Sequence, residues 1–270
     1  MSQSGTGSDR APLLGGLSYF EYQQLLGRDV VIPWLETRLD LAGLRVGDFG
    51  AHHGGVVDAL RASGKVREAV GLELSEELVA SSPFVGDERF RLETADVSAL
   101  SPGAHEFDLI LLHDVLEHVP DYRRALETVV NSLDRNGHVF ISFPPYYAAF
   151  GGHQQLAHGP ARLVPFLHYL PSKLFFGLTR TAATEYMSAE QALDDMASVR
   201  RTKLTLRRAE RAFSEASLEV VDHECFVVRP EYTVRYGWQT RAAGLAGRMA
   251  GLREAVVNGA FYLLRRQLRA

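Results

Sequence analysis

The sequence is poor in the features that several protein classes require. It has one cysteine, Cys225, which excludes an internal disulfide bond. No apolar run reaches the length of about 20 residues that a membrane-spanning helix needs, and the N-terminus lacks the charged-then-apolar order of a secretion signal. These absences predict a soluble, cytoplasmic protein without a membrane span.

An excess of positive charge is also missing. The chain carries 29 Lys and Arg against 33 Asp and Glu, a net charge of −4, whereas nucleic-acid-binding domains usually present a basic face. We therefore expect no nucleic-acid partner and favour a small-molecule ligand. Hydrophobic residues make up 46% of the chain, which is enough for the core of an α/β domain with an added subdomain.

Apolar runs alternate with helical patterns through the first half of the chain. Five runs typical of buried parallel strands are 44–49, 68–73, 89–94, 107–113 and 138–143. The alternation predicts an α/β fold with a doubly wound, mostly parallel sheet and clefts at the carboxyl ends of its strands. Runs at 218–228 and 231–236 are predicted to add a sixth strand and an antiparallel seventh.

The first strand ends in an acid that is followed by glycines. Asp48 stands at the carboxyl end of the strand, and Gly50 and Gly54 lie where the backbone must turn sharply. The dinucleotide fingerprint G-x-G-x-x-G fits poorly, because His52 replaces its second glycine. Glu73 ends the next strand at about the spacing of a ribose-binding acid in doubly wound folds, where a carboxylate can accept hydrogen bonds from two vicinal hydroxyls.

These residues resemble the motifs of class I S-adenosylmethionine (SAM) methyltransferases of the small-molecule type. Asp48, Gly50 and Gly54 match the family's Asp-x-Gly-x-Gly-x-Gly pattern, and Val115-Leu-Glu-His-Val-Pro-Asp121 resembles its segment after the fourth strand. The resemblance implies a Rossmann-like seven-stranded sheet with SAM as cofactor. The cofactor contacts that it implies are Asp48, Phe49, Gly50, His52, Gly54, Glu73 at the ribose, Leu74, Asp96 at the adenine, Val97, and His113 beside the methionine part.

Composition and the order of the apolar patterns also divide the chain into segments. Residues 1–16, rich in Ser, Gly and Pro, are predicted to be a disordered tail, and 17–143 to form N-terminal helices and the SAM-binding half. Residues 144–200 are too long for an ordinary connection and are predicted to form a lid or substrate insertion. Residues 201–238 then complete the sheet. Residues 239–270 are predicted to form a basic amphipathic helix, which packs on its own domain or contacts a membrane surface peripherally.

The predicted insertion is rich in aromatic residues near its start. Tyr146, Tyr147 and Phe150 are the predicted substrate contacts, since a pocket lined by aromatics suits a ring-bearing acceptor. The segment also resembles, more loosely, bacterial methyltransferases with an insertion at this place. The alternative is that the aromatics only pack the insertion onto the sheet.

Methyl transfer to a hydroxyl needs a group that removes a proton. His153 is the first choice for this general base, because the preceding glycines let the chain bend over the cleft and imidazole titrates near neutral pH. Asp114 and His118 are the next catalytic choices. The alternative for His153 is a structural residue that anchors the insertion.

The sequence thus predicts a SAM-dependent methyltransferase that acts on a small molecule, mainly at oxygen, for example in natural-product or glycan biosynthesis. A lipid acceptor, a non-catalytic SAM-fold binding protein and an NAD enzyme are the alternatives, and the protein is predicted to be a monomer or homodimer. Six residues could also converge as metal ligands: His52, His53, His113, Asp114, His118 and His153. No short His/Cys metal spacing is present, so no metal is predicted.

Overall fold

The structure is a computed structural model that describes residues 16–101, 103, 105–157, 159–179 and 188–267. The predicted N-terminal tail lies outside the described residues apart from Gly16.

An eight-stranded sheet runs through the described part of the chain in the order β3-β2-β1-β4-β5-β8-β6-β7. Its strands are β1 (Arg45–Phe49), β2 (Glu68–Glu73), β3 (Phe90–Thr94), β4 (Phe107–His113), β5 (Leu133–Phe143), β6 (Leu218–Val228), β7 (Arg241–Ala242) and β8 (Gly259–Arg266). Strands β1 to β5 pair in parallel, and β8 runs antiparallel between β5 and β6. The mostly parallel, Rossmann-like α/β fold is confirmed, although the sheet has eight strands instead of seven because the short β7 extends its edge.

Ten α-helices accompany this sheet in the described ranges. They are α1 (Tyr19–Leu26), α2 (Ile32–Glu36), α3 (Gly55–Ser63), α4 (Glu76–Ala80), α5 (Tyr122–Asn131), α6 (Ser172–Leu178), α7 (Ala189–Thr202), α8 (Leu206–Glu215), α9 (Glu231–Tyr236) and α10 (Arg253–Val256). Side-chain caps begin several of them, for example Ser75 at α4 and Asp121 at α5. Pro33 does not end the N-terminal helical run, which continues from α1 through a π-helical segment at Gly27–Val31 into α2, where Pro33 is the second residue.

Two apolar cores lie on the two faces of the sheet. On one face, α1 to α3 pack against strand residues such as Val46 and Leu109. On the other face, α5 and α8 pack against strand residues such as Phe49 and Ile110. Strands covered on both faces have continuous apolar sequences, which is why the first five strands could be predicted.

The segment after β5 returns to the sheet through short helical turns. Single turns at Gln154–Leu156, Pro160–Leu163 and Leu167–Tyr169 precede α6 and α7. A small apolar cluster of Leu167, Phe175 and Met196 holds this segment together. The segment therefore has a core of its own, as an insertion that covers the edge of the sheet would need.

The predictions for the last part of the chain were wrong. Residues 231–236 form α9 instead of a strand, with Pro230 in helical geometry before it and Gly237 in left-handed geometry after it. The predicted basic helix at 239–270 is instead β7, a turn, α10 and β8. The apolar run in β8 is buried between β5 and β6, and this burial outweighs the helical spacing of neighbouring residues. No helix in the described ranges is long and apolar enough to cross a membrane.

Candidate functional site

A cavity opens where the carboxyl ends of β1, β2 and β4 meet. These parallel strands bring the glycine turn after β1, Glu73 and His113 to one edge of the sheet. The insertion, α1 and the segment after β6 enclose the cavity. Its lining includes eight residues predicted from the sequence, which are Gly50, His52, Glu73, His113, Asp114, His118, Phe150 and His153.

The turn after β1 requires its glycines. Gly50 has a φ of +82°, and a Cβ placed on it would lie 2.6 Å from Cγ2 of Val115. Gly54 has a φ of +77° and stands before the first turn of α3. Because both positions are left-handed, glycine avoids the strain that a side chain would bring. The turn therefore leaves main chain exposed to the cavity at Gly50.

His52 adopts left-handed backbone geometry without being glycine, with a φ of +52°. Its ring packs 4.4 Å from the ring of Tyr19, so the N-terminal helix holds it in place. Burial, and then the nearby His53, lower the pKa of His52 to about 3, and the imidazole is therefore neutral. Gln23 of α1 also donates a hydrogen bond to the carbonyl of Ala51, so α1 packs directly on the glycine turn.

The carboxylate of Glu73 is oriented by two backbone N–H groups. Oε2 accepts from His52 at 2.9 Å, and Oε1 accepts from Ser75 at 3.0 Å. Each carboxylate oxygen can accept a second hydrogen bond. Glu73 thus offers two fixed acceptors at the edge of the cavity, as a ribose-binding acid must.

Several predicted cofactor contacts do not line the cavity. Asp96 is exposed and accepts hydrogen bonds from the N–H and hydroxyl of Ser98, while Val97 packs against the core. Leu74 is 70% exposed, and Phe49 is fully buried. For these four residues, cofactor contact stays a prediction.

Asp48 lies buried beneath the turn. It is 3% exposed, and its Oδ2 has no hydrogen-bond partner among the described residues. Burial raises the pKa of Asp48 to about 7, with Glu73 adding to the effect and His113 opposing it. A buried carboxylate without a partner is costly, which is why burial favours the neutral form of Asp48.

A buried charged network forms the wall opposite the glycine turn. Arg229 donates to both carboxylate oxygens of Asp114, at 2.7 and 2.6 Å, and also to Glu231. Although burial opposes the change, Arg229 and then His113 lower the pKa of Asp114 to about 2. Burial likewise opposes the charged form of His113, but its hydrogen bond to Glu231 and the charge of Asp114 raise the pKa of His113. Asp114 is therefore a poor proton acceptor at neutral pH.

Two histidines share one carboxylate on the insertion side of the cavity. Oδ2 of Asp195 lies 2.7 Å from Nδ1 of His153, and its Oδ1 lies 3.4 Å from Nδ1 of His118. His118 Nδ1 also lies 2.9 Å from the hydroxyl of Ser198. Burial lowers the pKa of His118, against the charge of Asp195. His153 lines the cavity, and its partner Asp195 was not predicted from the sequence.

Of the three predicted substrate residues, Phe150 alone lines the cavity. Tyr146 is buried, with its ring 5.0 Å from that of His168, and Tyr147 packs 5.8 Å from Tyr169. Both tyrosines hold the insertion together, which is the alternative the sequence left open. Other aromatic rings at the cavity come from Tyr19, Tyr22 and Tyr232.

Four charged residues that line the cavity were not predicted from the sequence: Asp195, Arg229, Glu231 and Arg235. Asp195 lies on α7, and the other three follow β6. None belongs to a motif, and Arg229 is 115 positions from Asp114. The available signal was weak, namely a charged pair around Pro230 at the end of an apolar strand.

The comparisons with known proteins agree with this geometry. A family model described as a methyltransferase domain matches residues 22–174, more than half of the 270 residues. The chain belongs to this methyltransferase family. The predicted recognition, enzyme class and cofactor are confirmed: the protein is a SAM-dependent methyltransferase.

The chain is similar in sequence to O-methyltransferases of two bacteria. Ubiquinone biosynthesis O-methyltransferase of Coxiella burnetii is 25% identical over 193 residues, covering 59% of this chain and 82% of the relative. The protein of the same name from Thiobacillus denitrificans is 32% identical over 119 residues, covering 41% of this chain and 49% of the relative.

Two solved structures share the fold. A SAM-dependent methyltransferase from Mesorhizobium loti is 19% identical with a TM-score of 0.52, covering 87% of this chain and 96% of the other. The plantazolicin methyltransferase BpumL in complex with SAH is 12% identical with a TM-score of 0.53, covering 93% and 84%.

The residues at the cavity fit SAM. Glu73 presents fixed acceptors for ribose hydroxyls, and Gly50 allows close approach to the main chain. These two features are what a nucleoside would use.

Replacing Glu73 by alanine should weaken SAM binding by about 2 kcal/mol, since a charge-assisted acceptor of two hydroxyls is lost. Isothermal titration calorimetry with SAM measures the effect. Glu93→Ala is the matched control, because this acid lies on the neighbouring strand β3, outside the cavity lining. Unchanged affinity in a folded Glu73→Ala variant would remove Glu73 from the cofactor site.

Replacing His52 by glycine should leave SAM affinity unchanged or lower it modestly. Glycine adopts a φ of +52° without strain. The backbone N–H of residue 52, which donates to the Glu73 carboxylate, is retained. The same calorimetric titration applies. A tenfold or greater gain in affinity would instead identify the imidazole as an obstruction and favour a non-catalytic role.

Proposed function

We propose that the enzyme transfers the methyl group of SAM to a hydroxyl oxygen of a small, ring-bearing acceptor and that His153 removes the hydroxyl proton. The observation that carries this proposal is the pairing of His153 with Asp195 at the wall of the cavity, with 2.7 Å between Nδ1 and the carboxylate.

SAM supplies an electrophilic methyl group, so the protein's task is to align the acceptor, exclude water and accept a proton. Asp195 fixes the tautomer of His153 by accepting the proton on Nδ1, and this leaves Nε2 as the proton acceptor. A carboxylate in this position also stabilises the imidazolium that forms.

The other two predicted bases are less suited to this role. Asp114 is held ionised by Arg229 with a pKa of about 2, so it accepts a proton poorly. His118 shares Asp195 with His153 but also contacts Ser198, and burial lowers its pKa. His118 therefore supports the orientation of Asp195, while His153 takes the proton.

The cavity lining and the relatives both support a ring-bearing hydroxyl acceptor. Tyr19, Phe150 and Tyr232 present rings to the cavity, and aromatic walls suit a ring-bearing molecule. The relatives named ubiquinone biosynthesis O-methyltransferase support oxygen as the acceptor atom. A phenolic or enolic hydroxyl combines both features, and a natural product of that type is the substrate class we propose.

The test is a two-part experiment on the full chain. Calorimetry with SAM and with NAD shows which cofactor the protein binds, and we expect binding of SAM only. A panel of phenols, catechols, amines and thiols is then incubated with SAM, and methylated products are identified by mass spectrometry. Methylation of hydroxyl compounds supports the proposal, and transfer confined to amines or thiols would overturn it.

A further inference from the structure

A second chemical property of the insertion side of the cavity concerns Glu117, His118 and His153. One ligand atom from each of these residues lies within 4.8 Å of the others. The site described above uses His153 and, indirectly, His118, but it leaves Glu117 without a role.

Glu117 is an unusual carboxylate. It is 1% exposed, and neither Oε1 nor Oε2 has a hydrogen-bond partner among the described residues. Its Oε1 lies 3.8 Å from Nε2 of His118. No arginine or lysine of the described ranges forms an ion pair with it. Burial, and then the charge of Asp114, raise the pKa of Glu117 well above its ordinary value. The acid is therefore neutral unless a cation takes the place of its proton.

Helix α7 holds both imidazoles through their Nδ1 atoms. Oδ2 of Asp195 lies 2.7 Å from Nδ1 of His153, and Nδ1 of His118 lies 2.9 Å from the hydroxyl of Ser198 and 3.4 Å from Oδ1 of Asp195. Each ring is left with Nε2 as its free nitrogen, and that of His118 faces Glu117. Metal-bound histidines commonly bond a carboxylate through their other nitrogen.

The neighbouring cluster of His113, Asp114 and Glu231 has similar ligand types, but its negative charge is balanced within the protein. Arg229 lies among these residues and bonds both acids, so the positive charge is already provided there. No guanidinium of the described residues forms an ion pair with Glu117. The Glu117 cluster is therefore the one in which both oxygens of a buried acid lack a partner, and a bound cation would replace the proton of that acid.

We propose that Glu117, His118 and His153 bind a divalent transition-metal ion such as Zn²⁺, with Asp195 orienting the two imidazoles. Two imidazole nitrogens and one carboxylate oxygen suit borderline first-row ions rather than Mg²⁺ or Ca²⁺. Three protein ligands leave a further coordination position, on the side where His118 and His153 line the cavity. Ion binding is independent of SAM and goes beyond the proposed methyl transfer.

One consequence rests on the proposed function. An ion bound to Nε2 of His153 occupies the nitrogen that would accept the acceptor's proton. The metal-loaded enzyme should therefore turn over more slowly than the metal-free enzyme, and a chelator should restore the rate.

The test is a titration of chelator-treated full chain with Co²⁺, in the absence of SAM and acceptor, followed by the visible absorption of the bound ion and by competition with Zn²⁺. We expect one equivalent to bind, binding to be lost in Glu117→Gln and His118→Ala, and Asp195→Asn to weaken it roughly 10–100-fold. His105→Ala is the matched control, because His105 also pairs with an acid, Glu93, at 3.4 Å, and should bind Co²⁺ normally.

Circular dichroism and urea unfolding check that each variant folds, and two different ligand variants keep the test decisive if one does not. The metal site would be wrong if the natural protein did not bind Co²⁺. It would also be wrong if Glu117→Gln and His118→Ala both bound Co²⁺ as tightly as the natural protein. Either result would leave the proposed role of His153 as base untouched, because that role is measured by turnover of the metal-free enzyme.

Discussion

Replacing His153 by alanine should lower turnover by roughly 10²–10⁴-fold, the usual contribution of general base catalysis, while SAM affinity stays unchanged. His153 contacts Asp195 and lines the cavity, whereas the proposed SAM contacts lie at the glycine turn and Glu73. Turnover is measured with a hydroxyl acceptor found in the screen, and SAM binding by calorimetry, both with chelator present.

The backbone at this position requires a matched variant. His153 has a φ of +56°, and alanine is strained there, whereas asparagine tolerates left-handed geometry. His153→Asn should lose as much turnover as His153→Ala but less stability. If His153→Asn kept near-normal turnover, the imidazole would be a structural anchor of the insertion and the proposed base would be wrong.

Asp195 provides an independent check of the same arrangement. Asp195→Asn removes the charge that favours the imidazolium but keeps a side chain of the same size. The value of kcat should therefore fall, and its rise with pH should shift to lower pH. A purely structural role of Asp195 would lower stability without moving the pH profile.

The sequence predicted the elements whose pattern is local. Strands β1, β2 and β4 and the second half of β5 are short, mostly apolar runs followed by turn or capping residues, and Gly50 and Glu73 stand at strand ends. The last strand carried the same signal, since Ala260–Leu264 is continuously apolar. Arginines around it and the helical spacing of residues such as Leu245 favoured a helix, yet Leu245 is 79% exposed. Burial between two existing strands, which depends on the whole sheet, decided the outcome.

Residues that act through distant partners could not be predicted. Asp195 is 42 positions from His153, and Arg229 meets Asp114 only because β6 and β4 end at the same edge of the sheet. Asp96 shows a different limit of local patterns. Its position after β3 was predicted, but its carboxylate accepts a hydrogen bond from the N–H of Ser98 in the same turn instead of lining the cavity. A local pattern can therefore give the place of a residue in the fold without giving the direction of its side chain.

Arg229 is 5% exposed and donates hydrogen bonds to both Asp114 and Glu231. Arg229→Met should lower the free energy of unfolding at pH 7 by about 3–5 kcal/mol, because removing one partner of a buried ion pair leaves uncompensated charge. Urea unfolding measures the loss. Arg265→Met is the control: Arg265 pairs with Glu219 on the surface, where both side chains are about half exposed, and it should cost no more than about 1 kcal/mol.

The pH dependence of the loss separates charge from packing. In the natural protein, Arg229 and then His113 hold the pKa of Asp114 near 2, below its unfolded value, and Arg229 lowers that of Glu231 as well. Their stabilisation is present above the unfolded pKa values of about 4 and is lost as the pH falls through the folded ones. Without Arg229, burial raises both carboxyl pKa values, so the variant binds protons on folding and its deficit should shrink as the pH falls from about 7 to about 5. A deficit equal at both pH values would mean that Arg229 stabilises the fold by its packing, and that the charges of Asp114 and Glu231 are satisfied by other groups.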